Sequence, residues 1–268
     1  MLTFSLSVSN REFIKQTTEP CQIMPVHSGF LTSSIIGSYY KSEKTKDIII
    51  HTSYMCRAFS PIAFTYNSKI QMLIKQYIKF AKHMGASDIL IHGPSSPNEF
   101  LNFDLGLDMI KSIIKSENGE KETVPRICLE IPSFTKEMHK LINNSYEFVD
   151  NYFSKIINAG FNIVIDTAHT FNNGLSNDEV IQLLEKYKDH WRWVHLNGNI
   201  RPPKTSDTHC PMFDSKNLIK NPLEFSKKIA SFGKNCVCEN VYKNYTEWEN
   251  FAKECGLKLI SKESFENL

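Results

Sequence analysis

The chain has 268 residues, 41% hydrophobic and 22% charged, which sets it apart from disordered chains, and no apolar run approaches the ~20 residues of a membrane helix. Its net charge of +2 is only mildly basic and does not by itself point to a nucleic-acid partner, so positive charge at any such surface must be local or supplied by metal. Seven cysteines, an odd number without zinc-ribbon spacing, read as reduced structural thiols. The amino-terminal MLTFSLSVSNREF lacks the basic region, apolar core and small-residue cleavage site of a secretory signal, and an intracellular location, nuclear or cytoplasmic, is the expectation.

Short apolar, β-branched runs recur along the chain, at 3–8, 21–26, 47–51, 88–92, 126–131, 162–166, 192–196 and 235–239, each suited to one strand. Helical periodicity fills the intervals at 68–84, 145–158, 177–190, 222–232 and 245–255. Ser176 or Asn177, with Glu179 nearby, suits a helix start, and Gly85, Gly160, Gly233 and Gly256 suit helix ends. Eight strand–helix alternations predict a (β/α)8 TIM barrel, a single domain over residues 1–268. An open doubly wound sheet is the alternative, but the first strand is not followed by a dinucleotide-cradling glycine turn, and there is no Walker-type lysine loop. The connections 52–67 and 197–221 are longer than packing requires, as functional loops often are.

The stretch FNIVIDTAHTFNNG ends a buried apolar run at Asp166 and places His169 three residues on, where a loop is expected to begin. Asp-x-x-His is a weak motif alone, yet other strands finish alike: IIIH at His51, ILIH at His92, ICLE at Glu130, WVH at His195 and CVCE at Glu239. In a barrel these ends share the carboxy-terminal face, so side chains distant in sequence would ring one site. His169, Asp207 and His209 raise the candidate ligands to nine. One such residue reads as an exposed charge or a hydrogen-bonded loop histidine. Six at the same topological position would be costly to bury without a cation. His27, His83, His139 and His190 lack the pattern and read as ordinary loop or helix residues. Imidazoles and carboxylates without cysteine favour zinc or manganese over magnesium, and nine ligands suit two or three neighbouring ions, the apparatus of phosphoester cleavage.

Through the ordered blocks HTSY, IHGP, CLEIP, IDTAHTFNNG, VHLNGN, DTH and CEN, from the third strand onward, the chain resembles the endonuclease IV family of apurinic/apyrimidinic endonucleases. The resemblance implies three zinc ions, with manganese an option at one site: the first on His51, His92 and Glu130, the second on bridging Glu130 with Asp166, His195 and Glu239, the third on His169, Asp207 and His209. It implies hydrolysis, in base excision repair, of the phosphodiester 5′ to an abasic site in double-stranded DNA, leaving a 3′-hydroxyl and a 5′-deoxyribose phosphate. Glu239 would align the attacking hydroxide and Glu130 would bridge the catalytic ions, while the duplex is bent and the abasic nucleotide flipped out. Tyr54 matches a tyrosine of the family's DNA-intercalating loop. Independently of the resemblance, Arg57, Arg201 and Lys204 lie in the two long loops and are candidate phosphate contacts. A monomer is expected.

The chain departs from the family pattern at Gly198, where aspartate is usual, at Thr208, where arginine is usual, at CPMFDS in place of a glycine-rich run, and at VHSGF, which lacks a strand-probing arginine. Two rivals stand beside this reading. One is a metal-dependent sugar isomerase or epimerase of the same barrel type, which typically uses one or two ions and does not require the trio His169, Asp207 and His209. The other is a non-catalytic DNA-binding descendant, from which the loss of at least one ligand is expected.

Overall fold

A computed structural model describes residues 1–6, 19–25, 31, 47–65, 68–117, 125–240 and 244–266. The expected strand ends at Ser7, Val8 and Val26, together with His27 and the rest of VHSGF, lie outside the described residues. Among the described residues, eight parallel strands take the order of a closed (β/α)8 barrel, as the strand–helix alternation predicts. The chain divides into two compact units, Leu6–Glu130 and Met1–Ser5 with Ile131–Leu268.

In the Leu6–Glu130 unit, β2 (Cys21–Ile23), β3 (Ile48–His51), β4 (Asp88–His92) and β5 (Arg126–Glu130) pair in sequence order. Ile48, Ile49, Ile50, Ile89, Leu90 and Ile91 are all buried, which explains why these strands read as continuous apolar runs rather than alternating ones. Helix α1 (Lys69–Met84) starts at Ser68, whose hydroxyl accepts from the Ile70 N–H, and ends at Gly85, whose φ of 66° few other residues would tolerate. It buries Leu73, Ile74, Tyr77, Ile78, Ala81 and Met84, a 3.6-residue stripe. Helices α2 (Pro97–Leu101) and α3 (Phe103–Glu117) follow. At the other end of the sheet, Asp88 and Arg126 are register partners and form a two-pronged ion pair at 2.9 and 3.0 Å.

In the larger unit, β1 (Leu2–Leu6), β10 (Asn235–Cys238), β7 (Trp193–His195) and β6 (Asn162–Asp166) are adjacent parallel strands. Around them run α4 (Lys136–Leu141), α5 (Ser145–Asn158), α6 (Thr167–Asn172), α7 (Asn177–Lys186), α8 (Pro222–Ala230), α9 (Tyr245–Cys255) and α10 (Lys262–Glu266). Trp191, Trp193 and Trp248 are fully buried, and Phe4 meets Trp248 edge-on at 4.9 Å. Ser176 and Glu179 form a reciprocal capping box on α7. The helix expected over 177–190 stops at Lys186, because Tyr187 leaves helical geometry (φ −108°, ψ 23°) with its hydroxyl on Asp150, and a 3-10 turn takes Lys188–His190. The long connection after β7 contains a two-residue hairpin, β8 (Gly198–Asn199) against β9 (His209–Cys210).

All seven cysteines are buried and free, and burial pushes the Cys21, Cys56 and Cys236 thiols up to about 12. Among the described residues, no helix is long and apolar enough to cross a membrane.

The Asp88 side chain is 1% exposed, so its charge depends on Arg126 and on the Ser87 hydroxyl 2.6 Å away. Arg126→Met should lower stability in urea titrations by about 3 kcal/mol, the scale of a buried ion pair broken on one side. A change within about 0.5 kcal/mol, as for ordinary surface substitutions, would show that Ser87 and solvent suffice.

Candidate metal centre

Strand register builds the site before any loop contributes. His92 is the direct partner of Glu130, and His51 pairs with Leu90, two residues before His92. Alternation therefore puts His51, His92 and Glu130 on one face of the smaller unit's sheet. In the larger unit Asp166 pairs with His195, and His195 pairs with Val237, two residues before Glu239. The strand-end groups of each unit are neighbours because partner Cα atoms in a sheet are only about 5 Å apart.

In the smaller unit, Glu130 Oε2 lies 3.3 Å from His92 Nε2 and 3.6 Å from His51 Nε2. His51 Nδ1 is 2.8 Å from the Thr52 carbonyl. A carbonyl only accepts, so Nδ1 carries a proton, and in a neutral ring Nε2 would present a lone pair to a carboxylate that also presents lone pairs. That arrangement is repulsive unless a positive charge, a metal ion or a second proton on the ring, lies between. Zinc–ligand bonds of about 2.1 Å in a tetrahedron give ligand–ligand edges of about 3.4 Å, the separations found here. Glu130 and His51 are each 1% exposed, so water does not screen the repulsion.

The larger unit repeats this logic with more groups. His169 Nδ1 is 2.8 Å from the Ile131 carbonyl, and its Nε2 is in hydrogen-bond geometry with Asp207 Oδ2 at 3.0 Å. His209 Nε2 lies 3.0 Å from the same oxygen, yet it is buried without a partner in hydrogen-bond geometry. Two imidazole nitrogens on one carboxylate oxygen, one of them misaligned for proton sharing, suit ligands of a common ion. Asp166, His169 and His209 also offer ligand atoms within 4.8 Å of one another. His195 Nδ1 is 3.5 Å from Asp166 Oδ2 and 3.7 Å from Glu239 Oε1, while His209 Nδ1 is 3.1 Å from Glu239 Oε2.

The electrostatics show the same demand for positive charge. Burial alone would lower the His209 pKa, but the Asp166 charge and the contacts with Asp207 and Glu239 drive it well above its ordinary value. Burial alone would raise the Asp207 pKa, and His169 and His209 beside it hold the carboxyl well below the usual carboxylate range. The residues therefore fit a divalent metal, and they fit zinc or manganese better than an ion that requires an all-oxygen shell.

Local folding explains the placement of each group. The sequence places His169 at the start of a loop, but it lies in α6, because Asp166 caps that helix: Oδ1 accepts from the Ala168 and His169 N–H groups at 2.7 and 3.0 Å. His209 is held in β9 opposite Asn199. Gly198, where the family pattern has aspartate, leaves room for Asn217: an added Cβ would stand 2.6 Å from the Asn217 side chain. That side chain accepts from the Asn199 and Ile219 N–H groups and donates to the Met212 carbonyl, and so holds the hairpin.

Sequence reasoning missed Asn197. It is fully buried, and its Nδ2 donates to Asp166 Oδ2 at 2.8 Å while its Oδ1 accepts from the Glu239 N–H at 3.1 Å. Its one signal was position, two residues beyond His195 and so on the same face.

The candidate DNA contacts are placed differently. Tyr54 is 51% exposed and stacks on the His92 ring at 4.8 Å. Arg57 is clamped through Nε and Nη2 to Glu99 Oε1, at 3.2 and 2.8 Å. Arg201 is exposed, its N–H bonded to Asn199 Oδ1. Lys204 adopts a φ of 62°, its N–H held by the Asn172 carbonyl, and it lines a cleft of about 840 Å³ with Phe171, Gly174, Pro202, Leu218 and Lys220. None of the nine candidate ligands lines that cleft, and the chemistry lies with the ligands.

No protein-family model and no curated protein matches the chain. Among solved structures it is similar to the AsfvAP:AG crystal structure, at 13% identity and a TM-score of 0.61 over 94% of this chain and 95% of that one. It is similar to endonuclease IV from Thermus thermophilus, at 12% identity and a TM-score of 0.62 over 95% and 98%. A xylose isomerase domain protein from Planctomyces limnophilus is similar at 12% identity and a TM-score of 0.59 over 95% and 97%. The shared property is the fold. One barrel carrying both an endonuclease and a sugar-isomerase namesake leaves the chemistry to be argued from the site.

The Arg57–Glu99 pair gives a pH prediction. Burial alone would raise the Glu99 pKa, but donors from Ser95 and Arg57 hold it below its usual 4.5. A depressed folded-state pKa contributes stability above the unfolded value and loses it as pH falls through the folded one. The stability gap between the wild type and Arg57→Ala should be full above about pH 5 and shrink as acid protonates Glu99. A gap constant in urea titrations from neutral pH to about pH 3 would contradict this assignment.

Proposed function

We propose that the chain is a zinc-dependent endonuclease of DNA base excision repair, with residues 1–268 acting as one domain that hydrolyses the phosphodiester 5′ to an abasic site and leaves a 3′-hydroxyl and a 5′-deoxyribose phosphate. The observation that carries this reading is the trio around one oxygen, with His169 Nε2 and His209 Nε2 each 3.0 Å from Asp207 Oδ2. A sugar isomerase of this fold typically uses one or two ions and does not require this trio. With His51, His92 and Glu130 in one unit and Asp166, His195 and Glu239 in the other, there are donors for three ions, one of which could be manganese.

Divalent ions held by these residues would supply Lewis acidity toward the phosphate and a water acidic enough to be deprotonated at neutral pH. The protein's own groups account for the remainder. Glu239 is the partly open member of its group, its side chain 14% exposed, so its carboxylate can both face the histidines and align the attacking water. Glu130, buried against His51 and His92, is the catalytic carboxylate that would hold an ion together with those histidines. Exposed Tyr54, backed by the His92 ring, has an apolar face to fill the gap left by a flipped-out nucleotide. Arg201 and Lys204 are the phosphate contacts of the long loop, and Arg57 contributes through a guanidinium already oriented by Glu99.

The test is an incision assay on a duplex with a single abasic site. Zinc-loaded protein should carry close to three zinc equivalents, nick 5′ to the lesion without magnesium and stop when the ions are chelated. Glu239→Gln should keep the fold and lose cleavage by about 100-fold or more, the range for removal of a general acid–base group. Zinc binding with no incision but turnover of an aldose or ketose would give the site to the isomerase reading.

A further inference from the structure

Resting on that metal-centre reading, we infer that Asn197 is a positioning residue that sets the zinc affinity of the larger unit's ligand group by clamping Asp166 and Glu239 to each other. The amide's orientation follows from its partners. Its oxygen must face the Glu239 N–H, 3.1 Å away, and its NH2 must face the carboxylate oxygens Asp166 Oδ2 at 2.8 Å and Glu239 Oε2 at 3.4 Å. The backbone of Asn197 is anchored as firmly. Its N–H donates to Thr167 Oγ1 at 2.9 Å, and that hydroxyl's one hydrogen is directed at the Asn197 carbonyl at 2.6 Å, with the His195 carbonyl 3.2 Å away. Every polar group of Asn197 is thus directed at a candidate ligand or at Thr167, the residue after one.

Two consequences follow for the donor set. Asp166 Oδ1 already accepts two N–H groups and Oδ2 accepts Asn197, which leaves Oδ2, facing His195 and His209, as the oxygen that would hold an ion. Glu239, with a longer side chain, has its backbone and one carboxylate oxygen fixed by the same amide. A lysine or arginine at 197 would hold both carboxylates too, but it would neutralise them and compete with the ion. A neutral amide orients them and leaves their charge to the metal.

The test uses the full chain, stripped of metal and titrated with zinc against a chromophoric chelator, comparing wild type with N197D and T167V. N197D is close to isosteric, keeps both backbone bonds to Thr167 and adds an acidic group beside the ligands. Charge alone would make it bind zinc more tightly. Positioning predicts the opposite sign, a loss of about 10- to 100-fold in affinity, the range for disrupting groups that orient metal ligands. T167V, which removes only the hydroxyl that anchors Asn197, should weaken zinc binding several-fold, with the zinc-free thermal midpoint showing that the fold is intact. Zinc affinity in N197D equal to or above that of wild type would overturn the inference; should N197D fail to fold, unchanged affinity in T167V would do so. Wild-type protein that takes up no zinc would instead remove the metal-centre reading, and the role of Asn197 with it.

Discussion

The larger unit's site turns on where the two oxygens of Asp166 point. One oxygen caps α6, which is why the chain turns into a helix directly after β6 and why His169 projects where it does. The other meets Asn197 and faces His195 and His209. A single buried carboxylate thereby ties a strand end, a helix start, the next strand's histidine and the hairpin histidine to one point. Its charge, together with those of Asp207 and Glu239, could not be held there without a counter-charge. The Asp166 charge and the contacts with Asp207 and Glu239 are also what raise the His209 pKa.

Much of the framework was legible in the sequence, because a buried parallel strand is an uninterrupted apolar run. β4 and β6 begin and end at the residues predicted, and the strand order is that of the barrel the alternation implied. Residues at strand ends could also be named, since a carboxylate or imidazole after such a run stands out. What sequence could not supply is register. That His92 faces Glu130 and Asp166 faces His195 depends on pairing between strands tens of residues apart. Nor could it show that an asparagine in VHLN would mediate between two carboxylates, since asparagine after a strand is commonplace. The residues after Asp166 read as loop because local propensity does not include the capping bonds that make α6.

One departure from the pattern of the resembled family, and two of the candidate phosphate contacts, have structural explanations. Gly198 is required by the Asn217 side chain packed against it, so an aspartate there would displace the amide that holds the β8–β9 hairpin and, through it, His209. Arg57, which loop position alone made a phosphate contact, is also the partner of a buried glutamate and so has a structural duty. Lys204 is held in a left-handed backbone conformation beside Gly174, where an added Cβ would stand 3.0 Å from the lysine's Cε. For Thr208 the structure offers no comparable account. The barrel itself is common to proteins named for different chemistries, and in this chain Asp207 and His209 add donors from beyond the strand ends.

The central claim, a nitrogen- and oxygen-ligated zinc cluster at the strand ends, is most directly tested by X-ray absorption at the zinc edge of the metal-loaded protein. The account predicts a first shell of light atoms at about 2.0–2.1 Å with the multiple scattering of imidazole, and a metal–metal vector near 3.5–4 Å. A sulfur shell at about 2.3 Å, drawing on the buried cysteines, would contradict it.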